Sequence, residues 1–254
     1  MHYKVEGSGE TLVFIHGLSD SLLYWEFLAA HLKEDYQVIR MDLRGHGESE
    51  LGSDEITIDL YVNDLIDILD EGNVNEVNLI GFSLGGAVAL DFALNHPGRV
   101  SSMVLMSSFA EVDDHIEGVF NDFKQALCVS FEEFYDLILP MVLCPDVIDE
   151  NREELEILKH MASQTANTQA YIKAVDAGLD FDAENKLSEI DVPTLVLAGK
   201  YDEITSVGIQ KGICENIKGC ELVVLDDVKH NLLVGKNNKN VLDILNDFLK
   251  NKDK

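Results

Sequence analysis

VNLIGFSLGGAVALDFALNHP, residues 77–97, changes its hydrophobic rhythm at a single serine. Before Gly81 the apolar residues run together, as in a strand buried on both faces, and after Leu84 they recur at helical spacing. The stretch reads as strand, corner, helix, with Ser83 on the corner. Gly81 and Gly85 stand two positions to either side, where a sharp turn needs strand and helix to approach without side-chain bulk. Such a corner lifts the Ser83 hydroxyl clear of the carboxyl edge of a sheet, the edge at which α/β folds bind ligands. A helix starting at about Leu84 also turns its free N–H groups and positive dipole end toward any negative charge that develops beside Ser83. Gly-x-Ser-x-Gly alone is weak, arising by chance in roughly a tenth of chains this long. Its place between a strand and a helix carries the reading, against the alternative of a serine that only caps the helix.

Outward from this corner the alternation repeats. TLVFI (11–15) and YQVIRMDL (36–43) are strand-like and flank the helical LLYWEFLAAHLKE (22–34); ITIDLYVNDLIDILD (56–70) reads as a helix and VSSMVLMSS (100–108) as a strand. Strands alternating with helices imply a parallel sheet covered on both faces. From about Phe109 to Glu189 the rhythm breaks into helical segments, HIEGVFNDFKQALCV, FEEFYDLILPMVL and NREELEILKHMASQTANTQAYIKAV. VPTLVLAG (192–199), GIQKGICENI (208–217), ELVVLD (221–226) and VLDILNDFLK (241–250) then restore it. The expectation is one α/β core, residues 1–109 and 190–254, with a helical cap of residues 110–189 inserted before the penultimate strand. The segment ahead of TLVFI has room for one weak strand, so a mostly parallel sheet of seven or eight strands is expected. No repeat, low-complexity tract or linker separates independent domains.

The chain has 254 residues, 46% of them hydrophobic and 26% charged, ordinary values for a globular protein with a substantial core. No apolar stretch is long enough to span a bilayer and MHYKVEGSGE has no signal-peptide core, so a cytoplasmic location is expected. A net charge of −28 repels phosphate backbones and anionic lipid, which excludes nucleic acid and membrane surfaces as expected partners. Cys128, Cys144, Cys214 and Cys220 have neither Cys-x-x-Cys spacing nor a nearby pair of histidines. They are expected to be reduced, buried thiols, and no metal or other cofactor is expected.

VFIHGLSDSLLYW (13–25), DLRGHGES (42–49), GFSLGG (81–86), VPTLVLAGKYDEIT (192–205) and KHN (229–231) together resemble the α/β-hydrolase family over nearly the whole chain. A neutral serine is a weak nucleophile and needs a base within reach and a carboxylate to orient that base. The resemblance supplies them in the order nucleophile, acid, histidine: Ser83, Asp202, His230. Elimination supports His230, because His2 is terminal, His31 and His96 belong to helices, His115 and His160 lie in the insertion, and His16 and His46 belong to loop motifs of architectural role. Glu203 is adjacent to Asp202, and Asp113 is the reserve acid, since some relatives place theirs after the strand preceding the insertion. Lys229, where glycine is common, and Ser206, near where proline often follows the acid, depart from the family pattern. By the same resemblance the backbone N–H groups of Leu18 and Leu84 form an oxyanion hole.

The cap is expected to cover the site and exclude water. Phe109, Phe123, Phe134, Tyr135 and Met141 are its candidate substrate contacts. Arg152 is the only arginine between Phe109 and Glu189, so guanidinium forks for a multiply charged acid are scarce and a neutral ester or thioester is expected. The resemblance implies a serine carboxylic-ester hydrolase working through an acyl-enzyme, as a monomer or homodimer. A C–C bond hydrolase, an acyl transferase or a lyase could use the same residues, and a non-catalytic ligand-binding homologue could retain the fold. An epoxide hydrolase or haloalkane dehalogenase would carry aspartate at the elbow.

Overall fold

The computed structural model describes residues 1–252. Among them seven strands form one sheet: β1 (Tyr3–Gly7), β2 (Thr11–Ile15), β3 (Gln37–Met41), β4 (Val77–Phe82), β5 (Val100–Met106), β6 (Thr194–Gly199) and β7 (Glu221–Leu225). Their order is β1-β3-β2-β4-β5-β6-β7, with β1 antiparallel to β3 and every other pair parallel. β2 and β4 are buried at every residue, as continuous apolar runs with helices on both faces must be, whereas β1 is a largely exposed edge. The chain leaves β2 toward β3 on one side and later returns to place β4 on the other. The crevice between the ends of β2 and β4 is therefore a point where the winding reverses, the place at which open α/β sheets hold ligands.

Helices α1 (Glu26–Leu32) and α10 (Asn237–Asn251) cover one face, and α2 (Ile58–Glu71), α3 (Leu84–Asn95) and α9 (Val207–Asn216) the other. α2 shows why: the Thr57 hydroxyl caps it by accepting from Leu60 N–H at 3.0 Å, and Ile58, Tyr61, Val62, Leu65, Ile68 and Leu69 fall on one buried stripe. The helical run at 22–34 is divided, a 3₁₀ turn at Leu22–Trp25 preceding α1.

Five helices lie between β5 and β6: α4 (Asp114–Val129), α5 (Phe131–Val142), α6 (Pro145–Glu150), α7 (Arg152–Ser163) and α8 (Thr168–Leu179). The long helical run from 151 is broken at 164–167, and Asn167 starts α8 by accepting Ala170 N–H at 3.2 Å. The ends of the insertion meet where Ala183 N–H donates to Ala110 O at 2.7 Å. The helices thus leave and rejoin the core at one place above the sheet's carboxyl edge.

The cysteines differ from expectation. Cys214 and Cys220 form a disulfide, Cα to Cα 5.3 Å, while Cys128 is an exposed thiol and Cys144 a half-buried one. The turn that ends α9 brings the pair together: Cys220 N–H donates to Ile217 O at 3.2 Å, and Gly219 takes φ 75°. Their six-residue separation does not reveal this fold-back. Among the described residues no helix is long and apolar enough to cross a membrane.

Candidate active site

β4 ends at Phe82 and α3 begins at Leu84, so one residue makes the corner. Ser83 sits at φ 52°, ψ −117°, a conformation that costs a residue with a side chain on the order of 1–3 kcal/mol. Its neighbours enforce it. Ser83 N–H donates to Met106 O at 2.9 Å, while its carbonyl accepts from Gly86 N–H at 2.8 Å and from the Ser108 hydroxyl at 2.9 Å. A Cβ on Gly81 would lie 2.4 Å from Gly85 O, and one on Gly85 would lie 2.2 Å from Ile15 O. Strand and helix approach closely enough that only glycine fits at either position.

Asp202 and His230 come from the loops after β6 and β7 and are both buried. Asp202 Oδ2 faces His230 Nδ1 at 2.8 Å and accepts the Thr205 hydroxyl at 2.9 Å; Oδ1 accepts the N–H groups of Ile204 at 2.9 Å and Thr205 at 3.0 Å. Burial by itself would raise this carboxyl's pKa, but the charge and hydrogen bond of His230 and the two backbone donors hold it below the usual value. An ionised carboxylate only accepts, so Nδ1 carries the proton it donates to Asp202 and leaves Nε2 as the imidazole's basic atom.

Ser83 and His230 line one cavity of about 510 Å³ under the insertion, together with Leu18, Leu84, Ile204 and, from the helices above, Phe120, Phe123 and Phe134. No lysine or arginine lines it. The Ser83 hydroxyl makes no hydrogen bond to another group among the described residues. The N–H groups of Leu18 and Leu84 are likewise uncommitted there, Leu84 because the first turn of a helix has no acceptor behind it. A negatively charged oxygen beside Ser83 would meet two backbone donors and the end of a helix dipole.

Three side chains that the sequence analysis did not single out brace this arrangement. Thr205 holds the acid and lies 3.3 Å from His230 Nδ1. Buried Gln210, on α9, accepts Ser108 N–H at 3.3 Å and donates to Ser108 O and, at 3.4 Å, to Thr205 O. Because the Ser108 hydroxyl holds the Ser83 carbonyl, one amide connects the Ser83 turn to the Asp202 loop. The legible signal was a polar residue at a buried position of an amphipathic helix.

A family model described as the α/β hydrolase fold matches residues 10–134. A putative carbamate hydrolase of Variovorax paradoxus is 30% identical over 241 residues, covering 91% of this chain and 89% of that one. The chain belongs to the α/β-hydrolase family. A 3-oxoadipate enol-lactonase of Acinetobacter baylyi is 26% identical over 89% of this chain and 85% of its own. The solved structure of an N-acyl homoserine lactone degrading enzyme superposes with a TM-score of 0.86 at 27% identity, covering 97% of this chain and 96% of that one.

In this α/β hydrolase the other candidates take different places. Asp113 caps α4, its carboxylate accepting Ile116 N–H at 2.8 Å, and is not the partner of His230. Glu203 pairs with Lys229 at 2.7 Å on the outside of the same loop. His16 is buried, its Nε2 accepting Leu43 N–H at 2.9 Å, and desolvation drives its pKa down to about 4. His46 is also buried; loss of water, then repulsion from His16, takes it to about 3. Arg44 is tied to Asp64 by Nε at 3.0 Å. Of the expected substrate contacts, Phe123, Phe134 and Tyr135 line the cavity. Phe109 and Met141 do not. Phe109 packs in the core edge-on to Phe120 and Phe181, and Met141 is half-buried against the same core cluster. Among the described residues no three His, Cys, Asp or Glu side chains stand together as metal ligands.

Proposed function

We propose that this hydrolase cleaves a small neutral carboxylic ester or thioester through an acyl-enzyme on Ser83. The observation that carries the reading is the buried His230–Asp202 pair, 2.8 Å apart, opening on the same cavity as a serine held on a strained strand-to-helix corner. His230 Nε2 takes the hydroxyl proton as Ser83 Oγ bonds to the acyl carbon, and the carbonyl π pair moves onto oxygen between the N–H groups of Leu18 and Leu84. Asp202 keeps Nδ1 protonated and favours the imidazolium so formed. When the oxygen's pair returns, the bond to the alcohol breaks and His230 returns its proton to the leaving oxygen or sulfur. Water repeats both steps on the acyl-enzyme and releases the acid.

Two further facts support this class. The relatives' names, a carbamate hydrolase, an enol-lactonase and a lactone-degrading enzyme, all describe cleavage beside an acyl carbon. The apolar wall without lysine or arginine favours a substrate that brings no charge into the cavity. The natural ligand on this reading is a small molecule. A panel of p-nitrophenyl esters graded from acetate to laurate tests it: the account expects hydrolysis with an optimum at medium chain length, abolished in Ser83→Ala. Inertness toward the whole panel by folded protein would reject it.

A further inference from the structure

Among the described residues Asp20 is the one acidic side chain on the cavity wall, and the reaction above does not use it. It lies two residues beyond Leu18 on the loop leaving β2. Ser19 takes φ 60° and Asp20 N–H donates to Gly17 O at 3.3 Å, so the loop folds back in a tight turn that includes Leu18. Two residues span at most about 7 Å. Asp20 therefore addresses the part of a substrate within a few bonds of the reacting carbonyl, not the far end of an apolar arm.

Its carboxyl receives no hydrogen bond among the described residues, and no lysine or arginine lines the wall to pair with it. The groups within electrostatic reach are Tyr24, whose hydroxyl donates to Asn231 at 3.2 Å, and Tyr171, whose ring lies against that of His46. Loss of water pushes Asp20 up to about pKa 7, the sign of a carboxyl that no protein group compensates. For folding alone this is a costly choice that an apolar side chain would avoid. The open side of the residue is the cavity itself.

We propose that Asp20 accepts a hydrogen bond from a neutral N–H or O–H that the substrate carries next to its reacting carbonyl, making acylamino or hydroxy esters better substrates than plain ones. The inference rests on the ester-hydrolase reading of Ser83. A neutral donor suits the site better than an ammonium, which would give up its own hydration in the same apolar cavity. The apolar arm of such a substrate would occupy the wall formed by Phe123, Phe134 and Ile138.

Two matched pairs of probes test this. One is N-octanoylglycine methyl ester against its N-methyl counterpart; the other is methyl 2-hydroxydecanoate against methyl 2-methoxydecanoate. Methyl decanoate, hydrolysed by the wild type and not by Ser83→Ala, checks the underlying reading separately. In at least one pair the wild type should favour the donor-bearing ester in kcat/KM by about tenfold, mainly through KM, as one hydrogen bond to a half-buried carboxyl predicts. The preferred pair names the donor. The ratio should fall to about one in Asp20→Leu and Asp20→Ala, which remove the acceptor, and persist in Asp20→Asn, which keeps one. Comparing ratios within each variant cancels any general loss from the substitution. Ratios near one in the wild type for both pairs, or ratios unchanged in Asp20→Leu and Asp20→Ala, would overturn the proposal. Inertness toward all five esters would overturn the hydrolase reading and this inference with it.

Discussion

At the sheet edge Ser83, Asp202 and His230 are placed by backbone, whereas the cavity wall above them is placed by packing. Ser83 is pinned through its own N–H and carbonyl, and Asp202 by two backbone N–H groups, on strands whose residues are almost all buried. In the insertion, α6 and α7 bury no residue, and α7 reaches the cavity through Leu155, Leu158 and Ala162. The two regions are strapped together at the loops that carry Asp202 and His230. Lys229 Nζ donates to Pro140 O at 2.7 Å, Asn231 N–H to Val142 O at 3.1 Å, and His115 Nε2 lies 2.9 Å from Glu203 O. On the proposed reading the difference teaches a division of labour: the edge sets whether a bond is broken, and the helices set which molecule is held against it.

The sharpest way to break that division is to remove the nucleophile or the base. Ser83→Ala and His230→Ala should each lower kcat on a p-nitrophenyl ester by about 10⁴-fold or more, Ser83→Ala with a thermal midpoint close to the wild type. A loss below a hundredfold in either would mean that the chemistry lies elsewhere. Phe134→Ala tests the other side. This buried cap residue should cost about 3–5 kcal/mol of stability in urea titrations and move the optimum of the ester panel to longer chains. Loss of turnover on every chain length by protein that remains folded would show the cap taking part in activation.

Acid sensitivity should also reside in the core. His16 and His46 ordinarily titrate near 6.5 and are held down to about 4 and about 3. Between those values the unfolded chain binds two protons that the folded chain refuses, so stability is full above pH 6.5 and falls as the pH drops. Asp20 opposes one of them, because its raised pKa lets the folded chain keep a proton that the unfolded chain loses between 3.8 and about 7. From these three groups the net loss from pH 7 to 4.5 should be on the order of 2 kcal/mol, read as a falling urea midpoint. His46→Gln should flatten that slope; a midpoint independent of pH over this range contradicts the burial of neutral imidazoles. The smallest effect is expected at Thr205. Thr205→Val removes the hydroxyl bond to Asp202 and should lower kcat about tenfold with little change in KM.

Legibility in the sequence followed the same division. The corner at Ser83 was readable because a strained turn leaves few residue choices: Gly81 and Gly85 are dictated by backbone contact. The mostly parallel sheet is readable from alternating strand and helix patterns. Phe109 and Met141 stand outside the cavity lining because an apolar residue reads alike in sequence whether it meets core or cavity, and only tertiary packing decides. Thr205, Gln210 and Asp20 were passed over for a related reason, since a polar residue's significance lies in what it meets across the fold: Gln210 reaches Ser108, 102 positions away. The Cys214–Cys220 pairing depends on a turn whose direction the spacing does not encode.

The central claim is that His230, held by Asp202, activates the Ser83 hydroxyl. Fluorophosphonate labelling followed by peptide mapping tests it most directly. The account predicts one phosphonylated site in the wild type, on the peptide containing Ser83, and labelling slowed by at least about a thousandfold in His230→Ala. An unlabelled wild type, a label on another residue, or a Ser83 adduct that forms as fast without His230 would contradict it.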